Sequence, residues 1–417
     1  MKIGVDIRVL MDKYYSGVSE YAANLLLAIF RQDKRNNYRL FYNSYRNLRD
    51  CLDSWNSDQS RVVGTHFPNK IFNYFLQKIF SWPKLDKVLG GVDIFWSPHF
   101  NFSALSASAS GLKKIITVHD LSFLRYPEFF SARKNFWHRA LKVKQSLRAA
   151  DRIIAVSENT KHDIVELVGI APEKIRVIYP GNNMRRREVG EAEKKRFFVD
   201  RGCRDGHRGL GAITSDSAVV TNEPAPFILY LGTIEPRKNI DGLIEAYNMF
   251  RADDEASGGK FKNIKLILAG GDGWRNRRIY SVWKKSSYKA DIKFLGYVSQ
   301  TEKEILYSAA AVFAYPSYYE GFGFPPLEAL TYGLPVVCSN VSSLPEVVGE
   351  AALTVNPFAT AEIADALRTV LNEEKVRAVL IAKGYERARR FSWDKAAGEY
   401  LELFQEVYEE NKRSISA

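Results

Sequence analysis

Twice along this chain, short apolar runs alternate with amphipathic stretches. In the first half "KIGVDIRVL", "YRLFYN", "VDIFWSP", "KIITVHD", "RIIAVS" and "KIRVIYPG" each end in polar, Gly or Pro residues. Between them lie segments with helical periodicity. "SEYAANLLLAIFRQ" has Ser19 placed as a cap, and "SENTKHDIVELVG" has Ser157 as cap and Gly169 as stop. From Phe227 the alternation restarts with "FILYLG", "IKLILAG", "IKFLGY", "AAVFAYPS", "PVVCSN" and "ALTVNP". Short apolar strands, each followed by a helix, belong to open parallel sheets covered by helices. A chain of 417 residues also exceeds one ordinary core. The pattern therefore predicts two α/β units, residues 1–182 and 227–392. The polar, glycine-rich interval 183–226 reads as a linker carrying one short helix. Residues 393–417 read as a closing amphipathic helix.

Composition narrows the function classes. The net charge is +12, which favours an anionic partner. The positive charge is spread along the chain, and no nucleic-acid-binding module is recognisable, so nucleic acid is not the expected partner. Cys51, Cys203 and Cys338 stand far apart, with no Cys/His cluster, so neither a disulfide framework nor a zinc site is expected, and a reducing cytoplasm is. "MKIGVDIRVL" enters a strand pattern directly, without the layout of a signal peptide.

Ligands of open α/β sheets sit at the carboxyl ends of strands, so the loops there carry the candidates. In "LGTIEPRKN", Arg237 and Lys238 stand just before a helix, whose start is already electropositive. Two cations in that place suit a bound anion such as a diphosphate; a solvated basic turn is the alternative. In "YYEGFGFPPLEALTYG", Gly321 and Gly323 let a backbone approach a ligand, and Pro325 and Pro326 suit a helix start. Amides from this turn would face an anion. Glu328 is expected in the first helical turn, where it can accept hydrogen bonds from a vicinal diol such as ribose, and Glu320 can reach a sugar ring. For either glutamate alone, a cap or a solvated side chain is an adequate reading. "SGVSEY" is a weaker signal: Gly17 could admit a phosphate, but a plain strand-to-helix turn explains it too. His119, in "TVHD", is placed to donate to a sugar hydroxyl or to serve structurally. No Asp-x-Asp pair lies in a suitable loop, so no metal site is expected.

In order, "SGVSEY", "TVHD", "RIIAVSENTKHDI", "KIRVIYPG", "LYLGTIEPRKN", "LILAG", "FLGYV" and above all "EGFGFPPLEALTYGLPVVCSNVSSLPEVVGEAAL" resemble the retaining glycosyltransferases of family 4. The last piece resembles the family's Glu-x7-Glu signature, carried by Glu320 and Glu328. The resemblance implies the GT-B fold, two facing Rossmann-like domains with a final helix that packs back on the first. It implies Glu320 at the donor sugar, Glu328 at the ribose, and Arg237 and Lys238 at the diphosphate. Gly17 and the backbone of Phe322, Gly323 and Phe324 would assist. The backbone near Val298 would edge the base, and His119 would face the transferred sugar. It further implies a metal-independent transfer of a hexose from a nucleoside diphosphate sugar to a glycan or polyprenyl-diphosphate-linked acceptor. The wording is most like bacterial mannosyltransferases that use GDP-mannose for O-antigen or exopolysaccharide synthesis. UDP- or ADP-sugar donors are alternatives, as are a GT-B epimerase and a non-catalytic binder. Many members carry an Arg where this chain has Thr233, which leaves one phosphate contact without its usual residue. Finally, "NKIFNYFLQKIFSWPKLDKVL" spaces Phe72, Phe75, Leu76, Ile79 and Phe80 along one helical face, flanked by lysines, and "ARKNFWHRALKVKQSLRAA" reads as a second basic helix. Both suit peripheral contact with an anionic membrane from the cytoplasmic side or, equally, a core-facing stripe.

Overall fold

Strand burial follows from the apolar runs. All five residues of Phe227–Leu231 and all four of Ile94–Ser97 are buried, as strands covered on both faces must be. The computed structural model describes residues 1–11, 17–45, 53–68, 72, 82–106, 111–202 and 226–416. Among them the chain divides into two compact units. Unit 1 comprises Met1–Glu128, Ala132–Asn183 and Phe391–Ala417; unit 2 comprises Phe129–Ser131 and Met184–Arg390.

Unit 1 contains β1 (Lys2–Asp6), β2 (Asn37–Asn43), β3 (Ser60–Thr65), β4 (Ile94–Ser97), β5 (Lys113–Val118), β6 (Arg152–Ala155) and β7 (Ile175–Val177), in the sheet order β3-β2-β1-β4-β5-β6-β7. Unit 2 contains β8 (Phe227–Leu231), β9 (Lys265–Ala269), β10 (Ile292–Gly296), β11 (Val312–Tyr315), β12 (Val336–Ser339) and β13 (Ala352–Val355), in the order β10-β9-β8-β11-β12-β13. Every pairing is parallel. The expected architecture of two parallel α/β sheets is therefore present. Strand order reverses between β1 and β4 in the first sheet and between β8 and β11 in the second. At such a reversal the loops diverge and leave a crevice at the carboxyl ends.

The final helix, Trp393–Ser416, belongs to unit 1 and lies against the helix Gly17–Gln32. A buried polar chain fixes it. Trp96 Nε1 donates to Thr117 Oγ1 at 3.0 Å, and the Tyr400 hydroxyl lies 2.8 Å from Thr117 Oγ1 and 2.6 Å from the Tyr21 hydroxyl. The chain leaves unit 1 beside the place where it returns: Asn182 N donates to Phe391 O at 3.2 Å. Gly181 is required there, because a Cβ would lie 2.2 Å from Trp393 N.

The two basic amphipathic segments fare differently. Residues 69–71 and 73–81 of the first lie outside the described residues. Its Phe72 is fully buried in a cluster with Phe41, Leu85, Leu89, Phe95 and Leu112, so at this residue the stripe faces the core. The second is not one helix. It is split into Ala132–Ala140 and Val143–Arg148 at Lys142, which takes φ +48°.

Candidate active site

At the reversal in unit 2 the loops after β8 and β11 meet. The loop after β8 makes one 3-10 turn, Pro236–Lys238, and Asn239 at φ +54° redirects the chain into the helix Ile240–Ala256. The loop after β11 ends at Gly323 (φ +109°), which starts the helix Phe324–Thr331. Only a residue without Cβ fits at 323, since a Cβ would lie 2.6 Å from Leu344 Cδ2.

Neighbouring strands thus join residues 82 and 83 positions apart. Lys238 Nζ donates to Glu320 Oε1 at 2.6 Å and to the Tyr315 hydroxyl at 2.7 Å. Arg237 Nη1 donates to Glu320 Oε2 at 3.1 Å and also to Tyr319 O, while its Nη2 donates to Glu235 Oε1 at 3.0 Å. Glu320 is 6% exposed and Glu235 2%. Burial alone would raise the Glu320 carboxyl, but Arg237 and Lys238 outweigh it and hold the group at about 2. Burial pushes Lys238 down and Glu320 opposes that shift. Two cations and two carboxylates therefore form a locally neutral cluster. The cations read from sequence as awaiting an anion are already paired with carboxylates. Glu235, Tyr315 and Ser343 were missed by sequence reading. Tyr315 looked like core because it ends a strand. Glu235 carried a usable signal, an acid two residues before Arg237 in a proline turn. Ser343 Oγ lies 2.9 Å from Glu320 O and 2.8 Å from Phe322 O, so its one hydrogen is shared between two carbonyls of the glycine turn and ties it down.

Glu328 corrects the sequence reading. It is the fifth residue of its helix, beyond the first turn, because Gly323 sets the helix start at Phe324. The residue is 2% exposed, and its carboxylate accepts from the Tyr307 hydroxyl at 2.9 Å. Pro325 and Pro326 lack N–H groups, so the helix start offers an anion its dipole more than its donors. Val298 is buried just beyond β10, at the sheet edge. Thr233 is exposed, with its carbonyl accepting from the Tyr230 hydroxyl at 3.2 Å.

In unit 1 Gly17 is exposed and opens its helix, after the first strand of the reversal. His119 follows β5. Its Nε2 lies 2.8 Å from Pro98 O; a carbonyl only accepts, so Nε2 carries the hydrogen and Nδ1 is left as an acceptor. A neutral His119 in this tautomer has no second N–H with which to donate to a sugar hydroxyl. Burial lowers the His119 pKa, against the Pro98 hydrogen bond, which favours the neutral ring. His99, missed in the sequence, lies two residues beyond β4 with its ring 6.0 Å from that of His119, and burial pushes it down to about 4. Among the described residues no group of three or more His, Cys, Asp or Glu side chains could hold a metal ion, and no helix is long and apolar enough to cross a membrane.

Known proteins match both units. Residues 15–186 match the family model "Glycosyltransferase Family 4", and residues 214–387 match "Glycosyl transferases group 1". O-antigen chain mannosyltransferase B of Escherichia coli is 31% identical over 294 residues, 70% of each chain. The serotype-specific mannosyltransferase WbdA of Escherichia coli is 26% identical over 324 residues, 77% of this chain but 37% of that one. The structure of Anabaena HepE in complex with UDP and glucose superposes with a TM-score of 0.69 at 17% identity, covering 97% of this chain and 100% of that one. That likeness supports the GT-B fold.

Proposed function

The chain belongs to glycosyltransferase family 4, and on that premise we propose that it transfers mannose from GDP-mannose, with retained configuration, to a growing glycan or lipid-linked acceptor in bacterial surface-polysaccharide synthesis. The observation that carries the reading is the buried Glu320–Lys238–Arg237 cluster at the strand reversal, with Glu328 one helical turn beyond it. The mannosyl donor is favoured by the similarity to the O-antigen mannosyltransferase.

In the reaction the bond from the sugar's anomeric carbon to the diphosphate oxygen breaks. A bond from that carbon to the acceptor oxygen forms on the same face. The acceptor's proton passes to the leaving phosphate oxygen. The electrostatic demand is the charge that develops on the diphosphate. Arg237 and Lys238 meet it by turning from the carboxylates toward the phosphates. Because two cations already supply this charge, transfer is proposed to be independent of a metal ion. Glu320, released from the cations, holds hydroxyls of the sugar. Glu328 holds the ribose, and the backbone of Phe322, Gly323 and Phe324, with Gly17, lies along the phosphates. The backbone near Val298 edges the base. His119 accepts from a sugar hydroxyl through Nδ1.

Peripheral contact with an anionic membrane is proposed for the helix Ala132–Ala140. Phe136 and Trp137 are 60% and 42% exposed on it, beside Arg133, Lys134 and Arg139.

The test is a thermal-shift panel of GDP, UDP, ADP and their sugars, with Arg237→Ala as control, since ligands that bind only the folded state raise the melting temperature. GDP and GDP-mannose should give the largest shifts, and Arg237→Ala should reduce them. A larger shift with UDP or ADP would overturn the donor, and no shift with any nucleotide would overturn the site.

A further inference from the structure

The segment that reads as a linker carrying one short helix reaches the loop beside Val298. Its helix, Glu191–Gly202, belongs to unit 2 and is seated by Phe198, whose ring lies 5.6 Å from that of Phe227 at the start of β8. Near its end stands Arg201. β10 is an edge strand, and its register shifts between Phe294 and Gly296. An edge strand leaves backbone groups on its outer side without ladder partners. Arg201 supplies partners at that place. Its Nη1 donates to Leu295 O at 2.9 Å, and its Nη2 donates to Tyr297 O at 3.2 Å.

The same guanidinium reaches the other side of the loop. Arg201 Nε donates to Glu302 Oε1 at 3.0 Å, and Ser299 N donates to Glu302 Oε2 at 2.7 Å. Ser299 in turn caps the helix Gln300–Ala309, accepting from Glu302 N at 3.3 Å. One side chain therefore ties residues 295, 297 and 302 together, and 299 through 302, around a buried Val298. The Arg201 side chain is 16% exposed, and its guanidinium lies 5.8 Å from the Phe197 ring. This is a fixed fork and not a loose surface pair.

The Ser299–Glu302 capping box is enough to start its helix. The two carbonyl contacts do something else: they set the backbone that enters Val298. We propose that Arg201 is a positioning residue for nucleobase recognition, holding the 295–299 loop against the base of the donor nucleotide. This rests on the donor reading above. It assigns to the connector a part in donor affinity, exerted through backbone placement.

Two ligands separate this role from a general structural one: GDP, and ribose 5-diphosphate, which keeps the sugar and phosphates but lacks the base. Calorimetric titration of the full chain is the assay. Arg201→Met keeps the aliphatic stem and removes the fork. It should bind GDP about tenfold more weakly, the scale of losing one ordered loop contact, and bind ribose 5-diphosphate as the wild type does. Arg201→Lys should not restore GDP binding, because an ammonium cannot span both carbonyls and Glu302. Undiminished GDP affinity in Arg201→Met overturns the proposal. So do equal losses for both ligands, which mark a general distortion, and full rescue by Arg201→Lys, which marks a charge effect. If the wild type binds ribose 5-diphosphate but gains nothing from the base, the loop has no such role and the phosphate site stands. If it binds neither ligand, the donor reading falls and takes this proposal with it.

Discussion

Glu320→Gln is the perturbation that most sharply tests the site, because it should move three quantities in different directions. Glutamine keeps the shape and removes the charge that Lys238 and Arg237 face at 2.6 and 3.1 Å. The carboxyl sits at about 2 in the folded chain against an ordinary 4.5. That difference corresponds to roughly 3 kcal/mol of stabilisation. Its folded pKa is depressed, so the stabilisation is fully present above about pH 4.5 and is lost as pH falls toward about 2. Breaking a buried ion pair costs about 3–5 kcal/mol, and Glu235 remains beside Arg237, so a value near the lower end is expected.

The chain has two units, so one global unfolding curve would mix them. Hydrogen exchange of peptides spanning β8 and β11 in the full chain reads unit 2 separately. The variant should lose roughly 3 kcal/mol of protection at pH 7, and less than half of that at pH 3, where the wild type has begun to lose the same contribution. Free GDP should bind the variant more tightly, by up to about tenfold, because the carboxylate that competes with the diphosphate is gone. Mannosyl transfer should nevertheless collapse, since the sugar loses its holding group. An equal deficit at both pH values would refute the ionic account. Weaker GDP binding would show that Glu320 is no stand-in for the diphosphate, and near-normal turnover would remove its role in the reaction.

Three further outcomes are expected. Transfer by protein treated with EDTA should continue; loss of activity that Mg2+ restores would refute metal independence. Liposomes containing anionic lipid should retain the full chain at low salt and release it at high salt, and Phe136→Ser with Trp137→Ser should weaken retention; no salt-sensitive binding would remove the membrane contact. Tyr400→Phe removes the hydroxyl between Tyr21 and Thr117 and should cost about 1–3 kcal/mol. It should also raise hydrogen exchange in the 393–413 helix, and unchanged protection would show that the polar chain does not fix it.

How far the sequence could be read depended on the range of the interaction. Strand identity is local: "FILYLG" is apolar at successive positions because β8 is covered on both faces, and the two sheets were legible from such runs. Glu328 was placed in the first turn but is the fifth residue, because the helix start depends on the φ of Gly323, which the letters alone do not carry. Basic periodicity from residue 132 suggested one helix, but the break at Lys142 needs a left-handed residue that no glycine announced. The stripe containing Phe72 could face a membrane or a core with equal periodicity; packing against Phe41 and Phe95 decides for the core at that residue. Arg201 was invisible for a different reason. Two of its partners are carbonyls, which leave no mark in a sequence, and the third, Glu302, stands 101 residues away.

The electrostatic pairing was the least legible part, and physics explains why it must exist. Two cations placed beside a helix start to receive a diphosphate would be costly when nothing is bound, because a buried unpaired charge shifts its pKa or destabilises the fold. Exposure to water would solve that, but would also weaken the field the reaction needs. The structure uses Glu320 and Glu235 to neutralise Arg237 and Lys238 within the buried site. On the proposed reading, an arriving diphosphate would exchange one anion for another and would not bring charge into an empty low-dielectric hole. The carboxylate displaced in that proposed exchange would be released next to the sugar, where a hydroxyl-binding group is needed. On this account the two halves of the Glu-x7-Glu signature differ in kind. Glu328, with Tyr307 donating to it, has a fixed partner within the helical layer, whereas Glu320 is paired with the two cations that the proposed transfer would draw toward the diphosphate.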